Sequence, residues 1–179
     1  MSITPDRLKS IKLLLLDVDG VLTDGSIIYN DQGEETKVFN AKDGLGLRLL
    51  MEAGIKVGIV TGRRSNALNH RCKNLGIKII FEGVSDKSAV LNRIMGETGT
   101  GPEEIAFVGD DLPDLPLMRA AGFSIAVHDA HETILKQADL ITSANGGRGA
   151  VREVCELILK ARGLWENALE SFGNAGNKK

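Results

Sequence analysis

The chain has 179 residues, 42% of them apolar and 26% charged, so it can bury the core of one globular domain but leaves little room for a second. Its 22 basic and 24 acidic residues nearly cancel, which excludes the strong positive field of a nucleic-acid-binding domain. No apolar run is long enough for a membrane span or a secretion signal, so we expect a cytoplasmic protein with no membrane partner.

Short aliphatic runs alternate along the chain with longer segments of helical periodicity. The runs lie at Leu13–Val18, Lys56–Val60, Lys78–Phe81, Ile105–Val108, Ser124–Val127 and Leu140–Thr142. Continuous Ile, Val and Leu content is typical of strands that are buried on both faces of a parallel sheet. Helices are predicted between them at residues 43–53, 65–75, 87–97, 114–121, 131–137 and 149–162. The alternation predicts a Rossmann-like α/β fold with three α/β/α layers.

Two segments depart from this alternation. Residues 26–39 contain two β-prone stretches around an Asn-Asp-Gln-Gly turn, which predicts a β-hairpin inserted after the first strand. Residues 164–179 form a polar tail in which Trp165 and Phe172 belong to a short amphipathic pattern. We therefore predict a single domain over residues 1–163, followed by a C-terminal tail over residues 164–179.

Two carboxylates follow the first predicted strand, in the string Asp17-Val-Asp19-Gly20. The carboxyl edge of an open parallel sheet is where ligands bind, and a chain that leaves the strand at Gly20 can bring both acids over one pocket. Such a pair can divide the work of a nucleophile and a general acid/base. A simple turn after the strand explains Asp19-Gly20 equally well at this stage.

A second acidic cluster, Asp110, Asp111 and Asp114, follows the fourth strand. Crowded carboxylates repel each other unless a cation lies between them, and oxygen ligands that leave room for water and phosphate suit Mg²⁺. Asp114 can instead cap a helix and Asp111 can be a loop charge.

Polar groups also follow the two strands between these clusters. Thr61-Gly62-Arg63 ends the second strand and offers a hydroxyl, a backbone N–H and a cation to a phosphate. Lys87 begins a predicted helix after the third strand, where the helix dipole disfavours a cation unless it faces an anion. Each feature is common by itself, but their order gathers all of them at one edge of the sheet.

This ordered set resembles the four motifs of the haloacid dehalogenase superfamily of phosphatases. The matching strings are Asp17-x-Asp19-Gly, Thr61-Gly, Lys87 and Gly109-Asp110-x-x-x-Asp114. Longer strings at residues 17–25, 39–48, 61–63, 70–72, 109–114 and 146–153 resemble the 3-deoxy-D-manno-octulosonate 8-phosphate (KDO 8-phosphate) phosphatase family. The resemblance implies Mg²⁺-dependent hydrolysis of that sugar acid phosphate, in the biosynthesis of KDO and lipopolysaccharide.

The resemblance also implies a role for each motif residue. Asp17 would attack phosphorus and Asp19 would act as the general acid and base, while Thr61 and Lys87 would bind phosphoryl oxygens. Mg²⁺ would be held by Asp17, the backbone carbonyl of Asp19, and Asp110. Asp111 and Asp114 would support this set from behind, with Asp114 orienting either Lys87 or the waters on the metal.

Substrate recognition is expected from residues in the family-like strings, namely Asn40, Arg48, Arg63, Arg71 and Arg148, together with Lys87. The fork of an arginine suits both the carboxylate and the phosphate of such a substrate. The alternative for Arg48 and Arg71 is that they are solvated charges on helix surfaces. Three glycines around Arg148 indicate a tight backbone that presents this side chain. Lys42 stands where the family more often has Arg, and His128 and His131 are expected to be loop and cap residues.

The rival classes differ in what they require. A P-loop NTPase needs a GxxxxGK[ST] string, which the sequence lacks. A weakly active oligomerisation module of nucleotide-sugar biosynthesis is disfavoured by the presence of both Asp17 and Asp19. A phosphatase for a nine-carbon, sialic-acid-type sugar phosphate would use the same catalytic set and remains the alternative.

The spacing between the motifs leaves no room for a cap domain, since one hairpin and one helix fill the stretch from Asp19 to Thr61. A capless site is open to water. We therefore expect a homo-oligomer, with a tetramer implied by the resemblance, in which neighbouring subunits cover the site. The C-terminal tail either closes a neighbour's site or packs on its own subunit.

Overall fold

The computed structural model describes residues 5–173. Its strands, in chain order, are β1 (Leu13–Leu16), β2 (Ile28–Tyr29), β3 (Glu35–Thr36), β4 (Lys56–Thr61), β5 (Ile79–Glu82), β6 (Ile105–Gly109), β7 (Phe123–Ala126) and β8 (Leu140–Ile141). Six of them form a parallel sheet in the order β5-β4-β1-β6-β7-β8, and β2 pairs with β3 separately. All six predicted sheet strands are present, and β1 lies at the centre with every one of its residues fully buried.

The helices are α1 (Pro5–Lys9), α2 (Ala41–Glu52), α3 (Asn66–Leu75), α4 (Leu91–Thr98), α5 (Leu115–Ala120), α6 (Glu132–Gln137), α7 (Ala150–Ala161) and α8 (Trp165–Gly173). The sequence did not predict α1, because five residues are too few for a periodic pattern. Two of the predicted helices begin with a 3-10 turn, and the starts of the other four differ from the prediction by one or two residues. Lys87–Val90 is a 3-10 turn before α4, and Leu112–Asp114 is another before α5, which starts with Pro116 in its first turn.

The order of the strands explains the three layers. From β1 the sheet grows towards one edge through β4 and β5. The chain then returns to the other side of β1 and adds β6, β7 and β8 towards the opposite edge. Crossovers between parallel strands are right-handed. Helices that connect strands towards one edge therefore cover one face of the sheet, and helices that connect strands towards the other edge cover the opposite face. In agreement, α2 packs against α7, whereas α5 packs against the turn before α4. The predicted α/β/α fold is confirmed, and the reversal of direction beside β1 creates a crevice there.

The inserted hairpin is present, although its paired strands are short. Ile28 pairs with Thr36 and Tyr29 with Glu35. Asn30 closes the turn, since its side-chain oxygen accepts hydrogen bonds from the backbone N–H groups of Gln32 and Glu34 at 3.0 and 2.9 Å. Between the first strand and β4 the chain forms only this hairpin and α2, so the site has no cap domain.

The described part of the C-terminal tail packs against the rest of the same chain. The Trp165 ring lies under the Lys160 ammonium, 5.0 Å from the ring centroid, and Leu164 and Ala168 pack against the core. Residues 174–179 of the predicted tail, and residues 1–4 of the predicted domain, lie outside the described residues. None of the helices described here is long and apolar enough to cross a membrane.

Candidate active site

The candidate site is a pocket of about 290 Å³ at the carboxyl edge of the sheet, beside the end of β1. Its lining residues are Asp17, Asp19, Gly25, Thr61, Gly62, Arg63, Val84, Lys87, Asp110, Asp111, Pro113 and Asp114. The four ordered motifs of the sequence therefore converge on one cavity. The crevice beside β1 is the place where an open α/β sheet binds its ligand.

The centre of the pocket is a buried ammonium between two carboxylates. Lys87 Nζ lies 2.8 Å from Asp17 Oδ1 and 2.5 Å from Asp114 Oδ1, and the Lys87 side chain is only 4% exposed. Burial acts to lower the pKa of Lys87, but Asp17 and Asp114 outweigh it and raise this pKa. Lys87 thus faces anions, as expected for a cation at a position where the helix dipole disfavours positive charge.

Asp114 uses both of its carboxylate oxygens on neighbours. Oδ1 bonds to Lys87, while Oδ2 accepts the backbone N–H of Asp110 at 2.8 Å. It makes no side-chain cap to α5. Asp111, in contrast, has a capping role, since its Oδ1 accepts the N–H of Leu112 at 2.8 Å. Asp114 therefore positions both Lys87 and the Asp110 backbone.

The carboxylates raise one another's proton affinity. Burial, and then the charge of Asp114, raises the pKa of Asp17 to about 6. Burial and the charges of Asp114 and Asp17 raise the pKa of Asp110 to about 8. These groups are crowded, poorly hydrated and short of positive charge, which favours a divalent cation between them.

The donor atoms fit a hard metal ion. Carboxylate oxygens of Asp17, Asp110 and Asp114 lie within 4.8 Å of one another. Asp110 Oδ1 is buried and has no hydrogen-bond partner among the described residues, whereas both oxygens of Asp114 are occupied. A Cβ added to Gly20 would meet Asp110 Oδ2 at 2.0 Å, so only glycine lets these chain segments approach so closely. Asp17 and Asp110 are thus better candidate ligands than Asp114.

The second acid of the first motif has partners that the sequence analysis missed. Asp19 Oδ1 lies 2.5 Å from Lys37 Nζ, and Arg63 Nε lies 3.5 Å from Asp19 Oδ2. Glu35 joins both cations, at 3.2 Å from Lys37 and 2.7 Å from Arg63. Lys37 and Glu35 belong to the hairpin, and the period-2 spacing of these two residues with Phe39 is the sequence signal by which they could have been assigned to one face.

Thr61 lies at the end of β4 with only 2% of its surface exposed, inside the pocket. Its hydroxyl oxygen accepts the backbone N–H of Arg63 at 3.4 Å. The Arg63 guanidinium reaches across to Tyr29 and Glu35, so in this conformation it contacts the hairpin.

Four of the predicted substrate-binding residues lie outside this pocket, namely Asn40, Arg48, Arg71 and Arg148. Asn40 caps α2 and donates from its side chain to the Gly147 carbonyl at 3.3 Å. Arg71 donates to the Asn40 carbonyl at 3.2 Å and lies near the Phe39 ring. Arg48 is an exposed residue of α2. The structure brings Arg63 to the catalytic groups and leaves Asn40, Arg48 and Arg71 apart from them.

Arg148 lies on a tight glycine loop that packs against the loop after β1. A Cβ at Gly146 would meet the Gly20 carbonyl oxygen at 1.6 Å, and Gly147 donates its N–H to the Val21 carbonyl at 2.9 Å. The Arg148 side chain is 69% exposed and pairs with Asp24 at 3.1 Å. The tight backbone is confirmed, and the arginine is presented outside the pocket lining.

His131 caps α6, because its Nδ1 accepts the N–H of Thr133, and His128 is an exposed loop residue, as expected. Lys42 is exposed on the first turn of α2.

Comparison with known proteins agrees with the phosphatase motifs found in the sequence. A model of haloacid dehalogenase-like hydrolases matches residues 77–154. The chain is 45% identical over 162 residues to the 3-deoxy-D-manno-octulosonate 8-phosphate phosphatase KdsC of Escherichia coli K12, covering 90% of this chain and 86% of the relative. A Moraxella catarrhalis phosphatase of the same name, crystallised with magnesium, phosphate and KDO, is 46% identical with a TM-score of 0.91, covering 94% and 97% of the two chains. A cobalt-bound phosphatase from Haemophilus influenzae is 40% identical with a TM-score of 0.88, covering 92% and 99%.

Proposed function

Because the chain belongs to the haloacid dehalogenase-like phosphatases, in the family of the 3-deoxy-D-manno-octulosonate 8-phosphate phosphatases, we propose that the pocket beside β1 hydrolyses this sugar acid phosphate through an aspartyl-phosphate. The protein is a Mg²⁺-dependent phosphoric monoester hydrolase of KDO biosynthesis. The observation that carries the proposal is the Lys87 ammonium between Asp17 and Asp114, beside an Asp110 oxygen that has no hydrogen-bond partner among the described residues.

In the first step Asp17 acts as the nucleophile. One of its carboxylate oxygens forms a bond to phosphorus while the bond between phosphorus and the sugar oxygen breaks. Asp19, two residues further on, gives its proton to the leaving oxygen. The products of this step are the free sugar acid and a phosphorylated Asp17.

In the second step Asp19 acts in the opposite direction. Its carboxylate takes a proton from a water molecule that attacks phosphorus, and the bond between phosphorus and Asp17 breaks. Phosphate leaves, Asp17 is again a carboxylate, and Asp19 is again protonated for the next cycle.

The remaining groups of the pocket stabilise charge. Lys87 offers its ammonium, and Thr61 its hydroxyl and neighbouring backbone N–H groups, to the phosphoryl oxygens as negative charge grows on them. Asp17, Asp110 and the backbone carbonyl of Asp19 would hold Mg²⁺, which neutralises the crowded carboxylates and polarises the phosphoryl group when it is bound. Asp114 keeps Lys87 in place, and Asp111 caps the turn that carries Asp114.

The sugar end of the substrate is the part left for recognition once the phosphoryl group is bound. Arg63 lines the pocket and is proposed to bind it. Asn40, Arg48, Arg71 and Arg148 remain proposed contacts for the carboxylate and hydroxyls of the sugar acid, reached if an adjacent subunit completes the site. The exposed apolar side chains Ile27, Ile28, Tyr29 and Val38 make the hairpin a suitable interface, which supports self-association. We propose that the assembly is a homotetramer and that it is cytoplasmic.

Phosphate release from a panel of sugar acid phosphates tests this function directly. The eight-carbon acid should be hydrolysed in the presence of Mg²⁺ and spared in the presence of a chelator, and a nine-carbon sialic-acid-type phosphate should be a poorer substrate. Turnover that persists after chelation, or no turnover of any member, would refute the proposal. Scattering measurements on the active protein would test the tetramer.

A further inference from the structure

One face of the hairpin is turned towards the pocket. Glu35, Lys37 and Phe39 alternate with the exposed residues Thr36 and Val38, as expected for an extended strand with one face covered. Phe39 packs against the core. The inward position between Glu35 and Phe39 is therefore occupied by a lysine, although an apolar side chain would suit a purely structural contact.

Lys37 is buried to an unusual degree for a residue of an exposed hairpin. Its side chain is 2% exposed, and its ammonium contacts Asp19 at 2.5 Å and Glu35 at 3.2 Å. Removing an ammonium from water is costly, and a buried ion pair is often replaceable by apolar residues without loss of stability. Stability alone therefore does not account for a lysine at this position.

The contact with Lys37 gives the two carboxylate oxygens of Asp19 different surroundings. Oδ1 is held by Lys37, whereas Oδ2 is buried, faces Arg63 at 3.5 Å and has no hydrogen-bond partner in residues 5–173. A carboxylate on a short side chain turns about its own axis unless one oxygen is fixed. Lys37 fixes Oδ1, and this leaves Oδ2 free for proton transfer.

We propose that Lys37 is a positioning residue for the reaction, holding Asp19 by Oδ1 so that Oδ2 exchanges protons with the leaving group and with the attacking water. The inference rests on the proposed role of Asp19. By this inference the hairpin contributes a residue that positions the general acid/base, independently of any role in subunit contacts. Glu35 contacts Lys37 at 3.2 Å and Arg63 at 2.7 Å, so it links the two cations that face Asp19.

A double-mutant cycle tests the proposal. Lys37→Met should lower kcat for the sugar acid phosphate on the order of a hundredfold, because a misplaced general acid/base loses about that factor. In an Asp19→Asn background the same change should alter kcat by less than about twofold, because the group it positions is already inactive. Lys37→Arg should recover most of the loss, since it keeps a cation beside Asp19.

The exposed Lys78→Met is the matched control for loss of a lysine and should behave like the unmodified protein. The leaving group gives a second readout. Phosphorylation of Asp17 by p-nitrophenyl phosphate in a single turnover should be nearly unchanged in Lys37→Met, because that leaving group needs no proton.

Two results would overturn the inference. One is an equal loss of activity from Lys37→Met in the unmodified protein and in the Asp19→Asn background, and the other is full activity of Lys37→Met. An unmodified protein that hydrolyses no sugar acid phosphate would instead refute the proposed function, so the two failures are distinguishable.

Discussion

The floor and the rim of the pocket are built in different ways. The floor consists of side chains at the ends of sheet strands and on the turns that follow them: Asp17, Thr61, Lys87, Asp110 and Asp114. The rim consists of exposed side chains on the loops around the pocket: Arg63, which lines it, and Arg148, which lies outside the lining. Lys87 on the floor is 4% exposed and has two carboxylate partners, whereas Arg148 on the rim is 69% exposed and has one.

The comparison separates chemistry from recognition. Groups on the floor interact at low effective dielectric, where each charge strongly affects its neighbours. Exposed groups on the rim interact weakly until a substrate or another subunit covers them. Changes on the floor should therefore affect both turnover and stability, while changes at the exposed rim should affect only the use of substrate.

Replacing the nucleophile should have the largest effect. Asp17→Asn keeps the shape of the floor but removes the attacking oxygen, so we expect kcat to fall by at least about 10⁴-fold. No phosphorylated chain should be detected by intact mass after acid quenching. The exposed Asp31→Asn serves as the control, and residual turnover within tenfold of the unmodified protein would exclude Asp17 as the nucleophile.

Removing the buried cation should affect the fold as well as the reaction. Lys87→Met leaves Asp17 and Asp114 facing each other without compensation, which should cost about 3–5 kcal/mol of unfolding free energy in urea titrations. Activity should fall about 10²- to 10³-fold with the loss of one phosphoryl donor. Adding Asp114→Asn should restore part of the stability. A Lys87→Met protein as stable as the original would contradict the claim that Lys87 compensates the buried charges of Asp17 and Asp114.

The floor should also give the metal-free protein a pH-dependent stability. Asp110 and Asp17 have folded-state pKa values raised to about 8 and about 6, so the folded chain binds protons more tightly than the unfolded chain. Stability in EDTA should therefore be greatest near the ordinary carboxyl range and should fall as pH rises towards about 8. Mg²⁺ binds the ionised carboxylates, so the increase in Tm that Mg²⁺ produces relative to EDTA should become larger as the pH rises over the same range. An equal Mg²⁺ effect at about pH 5 and about pH 8 would contradict this, and Asp110→Asn should flatten the dependence.

The smallest effect is expected at the exposed rim. Arg148→Ala removes one solvated ion pair with Asp24, so the Tm should not change. If the arginine reaches the sugar acid, KM should rise about tenfold with kcat nearly constant, because one charge-assisted contact to the substrate is lost. Arg162→Ala, at the far end of α7, provides a comparison, and an unchanged KM in Arg148→Ala would remove this residue from the proposed site.

The sequence alone determined the sheet and the floor of the pocket. Strands buried on both faces are continuous in Ile, Val and Leu, and their carboxyl ends must meet at one edge, so Asp17, Thr61 and Asp110 were predictable from spacing. The resemblance of these motifs to a known family assigned a chemical role to each. Boundaries were less accurate, because the starts of α4 and α5 depend on local 3-10 turns and on Pro116.

Only the tertiary structure decided which side chains complete the site. The sequence predicted the hairpin but not the fold of its inner face onto Asp19, because that contact joins residues 18 positions apart through a turn whose direction no local pattern specifies. For Asp114 the sequence left two roles open, a helix cap or the orientation of Lys87 or the waters on the metal, and its contacts with Lys87 and the Asp110 backbone N–H decide for support of the reacting groups. Strand patterns are local, but the partner of a buried charge is fixed by the packing of the whole chain.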